Sequence, residues 1–160
     1  MMPDLLNLIA KSRAAGLTIA TAESCTGGLV AAALTDCPGS SAVFDRGFVT
    51  YSNAAKVEML GVSNATLSTY GAVSQEVAKE MSLGAVHNSG ASIAVSVTGI
   101  AGPGGSDHKP EGRVCFGITI SDQSTKSETV EFGPLGRNNV RHAARDHALR
   151  LLKQAIDPTQ

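Results

Sequence analysis

The chain of 160 residues contains no tryptophan, and aromatic residues make up only 4% of it. That scarcity leaves nothing from which to build the stacking platforms that hold single-stranded nucleic acid. An excess of positive or negative charge is missing as well. The formal net charge is −1, so the chain lacks the basic footprint that nucleic acid or an acidic membrane surface would require. The cysteines are Cys25, Cys37 and Cys115, an odd number without a CxxC spacing, which argues against a disulfide framework and a zinc ribbon. The histidines, His87, His108, His142 and His147, are scattered and form no HExxH, so no metal site is expected. No apolar run approaches the roughly 20 residues that span a bilayer. The beginning of the chain, with Asp4 and then Lys11, does not read as a secretory signal. These absences lead to an expectation of a cytoplasmic protein with neither a membrane nor a nucleic-acid partner.

What is present is the composition of a globular protein, 42% hydrophobic and 17% charged, at a length best read as a single domain over 1–160. Apolar spacing and capping residues predict a helix over 4–15, ended by Gly16. A short buried strand follows over 17–22. Gly27 and Gly28 then open an apolar helix to about Thr35, stopped by Cys37-Pro38-Gly39. A strand is predicted from about Val43 to Tyr51, and a short helix capped by Ser52 or Asn53 runs through Leu60. Another helical piece spans 63–70, and a helix begins at Ser74 and runs to about Asn88. A buried strand over 91–97 leads into a Gly- and Pro-rich loop. Strands over 113–120 and 127–132 are joined as a hairpin through Asp122-Gln123-Ser124. An amphipathic helix over 138–155 closes the chain. Helices alternating with strands, and then a late hairpin, predict an α/β protein: a three-layer α/β/α sandwich with a mixed, mostly parallel sheet.

Five stretches carry chemistry. Ser24-Cys25-Thr26-Gly27-Gly28 passes from a strand end into a helix N-terminus, where unpaired N–H groups can receive an anion or a developing oxyanion; the alternative is a tight turn whose hydroxyl only caps the helix. Thiols at helix N-termini can have lowered pKa values, so Cys25 is a second candidate nucleophile. Pro38-Gly39-Ser40-Ser41 can hold a hydroxyl at a cleft mouth, or serve as a plain connection. Tyr51-Ser52-Asn53-Ala54-Ala55-Lys56 places a lysine in the first turn of a helix, where the dipole disfavours an ammonium and burial lowers its pKa further. A neutral lysine amine can then act as general base for a serine, with Tyr51 hydrogen-bonding between the two; the alternative is a solvated lysine and a core tyrosine. Thr98-Gly99-Ile100-Ala101-Gly102-Pro103-Gly104-Gly105 follows a buried strand, the place where open α/β sheets bind ligands, and its glycines permit close backbone approach. Arg137 stands before the last helix, well placed for phosphate. Arg141, Arg145, Arg150 and Lys153 read mostly as a solvated face.

Taken together, TAESCTGG, GSSAVFDRGFVTYSNAAK, GAVSQEVA, TGIAGPGG and KPEGRVCFG resemble the C-terminal domain of the CinA (competence/damage-inducible) family, over roughly 5–152. The resemblance implies a three-layer α/β/α fold and a homodimer or higher homo-oligomer. It also implies a stand-alone form of a domain often fused behind a molybdopterin-binding-like one. The implied activity is deamidation of nicotinamide mononucleotide by an amidohydrolase that needs no metal or organic cofactor. Carried over by motif, the nucleophile is Ser41, the general base is Lys56, Tyr51 assists proton transfer and Ser24 orients substrate or stabilises charge. Thr26, Gly27, Thr98, Gly99 and Gly102 fall in the substrate-binding stretches, and Arg137, with Arg141 close by, meets the nucleotide phosphate. The loop Pro103-Gly104-Gly105 is one residue shorter than the family's usual GPxGG. Spacing alone does not choose Ser41 over Ser24, Ser40 or Cys25. The competing functional reading is a non-catalytic nucleotide-binding module linked to competence or DNA damage, which would use the same glycine loops and Arg137 without any nucleophile.

Overall fold

A computed structural model describes residues 3–106 and 108–159. Its elements, in chain order, are α1 (Leu5–Ala14), β1 (Ile19–Glu23), α2 (Leu29–Thr35), a 3-10 turn (Ser40–Ala42), β2 (Phe44–Val49), α3 (Asn53–Leu60), α4 (Asn64–Tyr70), α5 (Gln75–Ser89), β3 (Ile93–Gly99), β4 (Arg113–Ile120), β5 (Lys126–Glu131) and α6 (Arg137–Ile156). The five strands form one sheet in the order β2-β1-β3-β4-β5. The pairings of β1 with β2 and with β3 are parallel, whereas β4 pairs antiparallel with both β3 and β5. The sheet is mixed, as expected, and its parallel part carries the motif-bearing loops.

Local chemistry explains the elements. Asp4 caps α1 by accepting from the Asn7 amide at 3.1 Å, and Ser74 caps α5 by accepting from Val77 at 3.2 Å. For α3, the cap is Ser52, which accepts from Ala55 at 3.0 Å. Leu5, Leu8 and Ile9 of α1 and Val140, Ala144, Leu149 and Leu152 of α6 are buried at helical spacing. They join Val30 and Leu34 of α2 in a core against Ile19, Ile93, Val95, Val97 and Phe116 on one face of the sheet. The other face packs Ala20, Ala22 and Ala94 against Leu60, Val77, Met81 and Ala85. Three layers result, as the alternating pattern predicted.

β1 and β3 begin two residues later than expected and end at Glu23 and Gly99, one and two residues later, because the buried polar residues Glu23 and Thr98 carry them past the expected ends. The helix after β1 packs on one face of the sheet and the helix after β2 on the other. A crevice therefore opens beyond the carboxyl ends of the parallel strands, the usual binding place in such sheets. No helix among the described residues is long and apolar enough to cross a membrane.

Candidate active site

Ser24 immediately follows β1, and its amide donates to the Val97 carbonyl of β3 at 2.9 Å. This bond seats the serine between the ends of the two central strands. Lys56 approaches from α3, where Ser52 as cap places it within the first turn. Its ammonium nitrogen lies 3.0 Å from Ser24 Oγ, and it donates to the carbonyls of Thr50 at 2.9 Å and Tyr51 at 3.3 Å. Only 1% of Lys56 is exposed. Desolvation by burial lowers its pKa from 10.5 to about 8. With the amine neutral, its two N–H groups satisfy the two carbonyls and its lone pair is left to receive the Ser24 proton. Such a contact between a neutral amine and a hydroxyl can activate a serine as a nucleophile.

Glu23, beside Ser24, was not singled out from the sequence, and it governs the turn. Its carboxylate is buried and accepts from the amides of Gly28 at 3.2 Å, Val30 at 2.9 Å and Ala31 at 3.0 Å, and from Thr21 Oγ1 at 3.2 Å. The free N–H groups at the start of α2 are thus taken by the protein's own carboxylate, and the Leu29 amide goes to the Thr26 carbonyl at 3.1 Å. The expectation that this helix start receives a substrate anion is corrected accordingly. Neither Thr26 nor Gly27 is among the cavity-lining residues. Thr26 is fully buried, with a hydroxyl that has no partner among the described residues. Gly27 has φ +58°, and a Cβ there would stand 3.3 Å from the Arg141 guanidinium. That guanidinium clamps the turn by donating to the carbonyls of Cys25 at 2.9 Å and Thr26 at 3.2 Å. Arg141 therefore supports the loop, while Arg137 faces the cavity.

The cavity has a volume of about 400 Å³. Its base holds Ser24, Cys25 and Lys56, and the Thr98–Ser106 segment forms a wall. Thr98 is committed elsewhere: its hydroxyl donates to the Ala72 carbonyl at 2.8 Å. Gly102 adopts φ +90°, a conformation that favours glycine, and packs against the Glu111 carboxylate. Arg137, at the start of α6, donates to the Gly102 carbonyl at 2.7 Å and to the Tyr51 hydroxyl at 3.0 Å. Tyr51 is 62% exposed. Its hydroxyl is held by Arg137, so what it offers the serine–lysine pair is its carbonyl. Ser24, Tyr51, Lys56, Thr98, Gly99, Gly102 and Arg137 all line this one cavity.

Ser41 does not join them. It is exposed, in the 3-10 turn before β2, and the neighbouring Val43 carbonyl accepts from Ile19 at the opening of β1. Ser24 is at the closing end of that strand, roughly 16 Å away at about 3.3 Å per residue. Because β1 and β2 are parallel, residues entering β2 meet the start of β1 and only those leaving it meet Ser24. Cys25 lines the cavity, but burial pushes its thiol up to about 12, the reverse of the lowering expected at a helix N-terminus. Lys109, another lining residue, was legible only as part of the KPEG motif.

A second hollow, about 480 Å³, lies between the β4–β5 hairpin and the end of α6, with Phe116, Ile118 and Leu151 in its lining. Among the described residues its lining holds no buried base beside a hydroxyl, whereas the smaller cavity pairs Lys56 with Ser24. Among the described residues, no three His, Cys, Asp or Glu side chains group so as to hold a metal ion.

Comparison with known proteins agrees with this architecture. A model of the CinA C-terminal domain family matches residues 5–156. The chain is 62% identical over 121 residues to a nicotinamide-nucleotide amidohydrolase, PncC, of Enterobacter agglomerans, covering 75% of this chain and 74% of that protein. It is 51% identical over 152 residues to a CinA-like protein of Chlorobium limicola, covering 90% of this chain but only 35% of that protein. The chain thus spans about a third of the length of its CinA-like relative. The solved structure of competence/damage inducible protein CihA from Agrobacterium tumefaciens superposes with a TM-score of 0.91 at 47% identity, covering 98% of both chains. A CinA superfamily protein from Escherichia coli superposes with a TM-score of 0.89 at 35% identity, covering 97% of this chain and 94% of that one.

Proposed function

The chain belongs to the CinA C-terminal domain family, and from that premise we propose that it is an amidohydrolase converting nicotinamide mononucleotide to nicotinic acid mononucleotide and ammonia. The observation that carries the proposal is the buried Lys56 amine 3.0 Å from Ser24 Oγ, with its pKa lowered to about 8. The name of the Enterobacter relative supplies the substrate class.

In this reading Ser24 is the nucleophile. Neutral Lys56 takes the Ser24 proton as Oγ bonds to the carboxamide carbon. The resulting oxyanion needs donors. The amide of Cys25, which directly follows the nucleophile and whose residue lines the cavity, donates to no backbone carbonyl among the described residues. The lysine ammonium then gives its proton to the departing nitrogen, and ammonia leaves as the C–N bond breaks. Water adds to the seryl ester, passing a proton to Lys56, and collapse returns a proton to Ser24 Oγ and frees the carboxylate product. The substrate helps the base: its pyridinium ring carries a positive charge, and a like charge beside Lys56 disfavours the ammonium. Arg137, at the outer end of the cavity, binds the phosphate. The proposal further takes 1–160 as one domain acting without metal or organic cofactor, as a cytoplasmic homo-oligomer.

Ammonia release from nicotinamide mononucleotide by the purified protein tests this directly. Wild type should release it stoichiometrically with the acid product. A folded Lys56→Met protein should lose at least about 10³-fold, since the nucleophile loses its base. Binding of the nucleotide without ammonia release by wild type would instead favour the regulatory module.

A further inference from the structure

Lys109 was assigned no role by its sequence position, yet it is the second cation at the outer part of the cavity. It is half-buried and makes no ion pair with any described residue. Its ammonium donates to the carbonyls of Tyr70 at 2.7 Å and Val73 at 2.6 Å, in the turn between α4 and α5. A lysine ammonium has three donors and no acceptor, so one N–H remains for a ligand. The backbone of Lys109 is paired with Ser106, at 2.9 Å and 2.8 Å. Arg137 grips the same segment at its other end, through the Gly102 carbonyl. The two cations therefore flank Gly102–Ser106. Within it the Gly104 and Gly105 amides donate to no backbone carbonyl among the described residues. No acidic side chain lines this cavity among the described residues, and Glu111 packs behind Gly102 rather than in it. Two uncompensated cations and two uncommitted amides around a glycine segment make an anion-binding concavity.

We propose that Lys109 is a specificity-determining residue that, opposite Arg137, binds the substrate's phosphate monoester and so selects a nucleotide over its nucleoside. The proposal rests on the amidohydrolase reading for its substrate, and it deepens that reading by naming the group the outer cavity recognises. The start of α2, the other anion site suggested by the sequence, is closed by Glu23. That leaves the cavity wall as the place for the phosphate. The carboxamide then reaches Ser24 at the base and the phosphate stays at the mouth.

The competing role for Lys109 is a latch that only holds the α4–α5 turn. The two roles separate by substrate. The measurement is kcat/KM for nicotinamide mononucleotide and for nicotinamide riboside, which lacks the phosphate, in wild type, Lys109→Met and Lys109→Arg. The proposal expects Lys109→Met to lower the value for the nucleotide ten- to a hundredfold, mainly through KM, and to leave the riboside within about twofold. Lys109→Arg should keep most of the preference. Inorganic phosphate should compete with the nucleotide in wild type and do so at least tenfold less well in Lys109→Met. Equal losses on both substrates would overturn the proposal in favour of the latch. If wild type releases ammonia from neither substrate, the amidohydrolase reading fails. Calorimetric binding of the same two compounds then decides the phosphate site by itself: loss of nucleotide preference in Lys109→Met supports it, and an unchanged preference overturns it.

Discussion

Two turns in this molecule look alike as sequence and differ as chemistry. Ser24 lies in a Ser-Cys-Thr-Gly-Gly turn at the carboxyl end of β1, and Ser41 in a Pro-Gly-Ser-Ser turn ahead of β2. Both offer a small hydroxyl residue within three positions of a glycine at a helix or strand boundary. The first is tied down from three sides: Glu23 beneath, Arg141 on its carbonyls and Val97 on its amide. It also faces a lysine that has been stripped of water. The second is exposed, and none of these partners touches it. A serine's own environment in sequence says little about its reactivity. What can make a serine reactive is a base whose charge the fold has made costly, and among the described residues Lys56 is such a base at the Ser24 end of the sheet.

The sharpest way to break this comparison is to remove each hydroxyl in turn. Ser24→Ala should reduce ammonia release at least about 10³-fold, while Ser41→Ala should stay within about twofold of wild type in the same assay. The reverse pattern would put the nucleophile at the far end of the sheet and remove Ser24 from that role.

A smaller effect tests the scaffold of the reactive turn. Glu23→Gln keeps one acceptor oxygen but puts an amide nitrogen among N–H donors, so about 2 kcal/mol or more of stability should be lost. Urea denaturation measures this directly. A matching change at the other turn, Ser40→Ala, should fall within about 0.5 kcal/mol of wild type. Equal effects at the two turns would mean that Glu23 does not anchor the first.

The mildest test is titration. Because the folded pKa of Lys56 is lowered to about 8, kcat/KM should rise with pH and level off above that value, changing roughly fivefold between pH 7 and pH 8. Stability should show the same group. The folded state holds fewer protons than the unfolded state between about pH 8 and the ordinary lysine value of 10.5. Wild type should therefore gain stability relative to Lys56→Met as pH rises through that window, by up to about 1.4 kcal/mol per pH unit. Below about pH 8 both states carry the proton and the difference should be flat. A pH profile centred below 7 would show that Lys56 is not the titrating base.

Much of the fold was open to reading in the chain. Leu5, Leu8 and Ile9, or Val140, Ala144 and Leu152, mark helical faces by spacing alone, and Ser74 announces α5 by capping chemistry. The strands were harder to bound. Glu23 and Thr98 are polar, so the sequence pattern ends β1 and β3 before them, whereas each finds hydrogen bonds that make its burial tolerable. Lys56 was identifiable as a base because its place in a first turn is local information. Its partner was not, because Ser24 and Ser41 are both distant from it in sequence, and the direction of a parallel pair decides which one arrives.

The sequence by itself thus determined the layered α/β architecture, the helix faces and the set of residue types available for acyl transfer, since these follow from spacing, capping and composition within short windows. The tertiary structure decided which of them meet. It buried Lys56 so that its proton is loosely held, spent the start of α2 on Glu23, turned Arg137 into the cavity while committing Arg141 to the loop, and left Ser41 at the far end of the sheet. Those outcomes depend on strand order, on direction and on the withdrawal of water, and none of these is a property of a short stretch of chain.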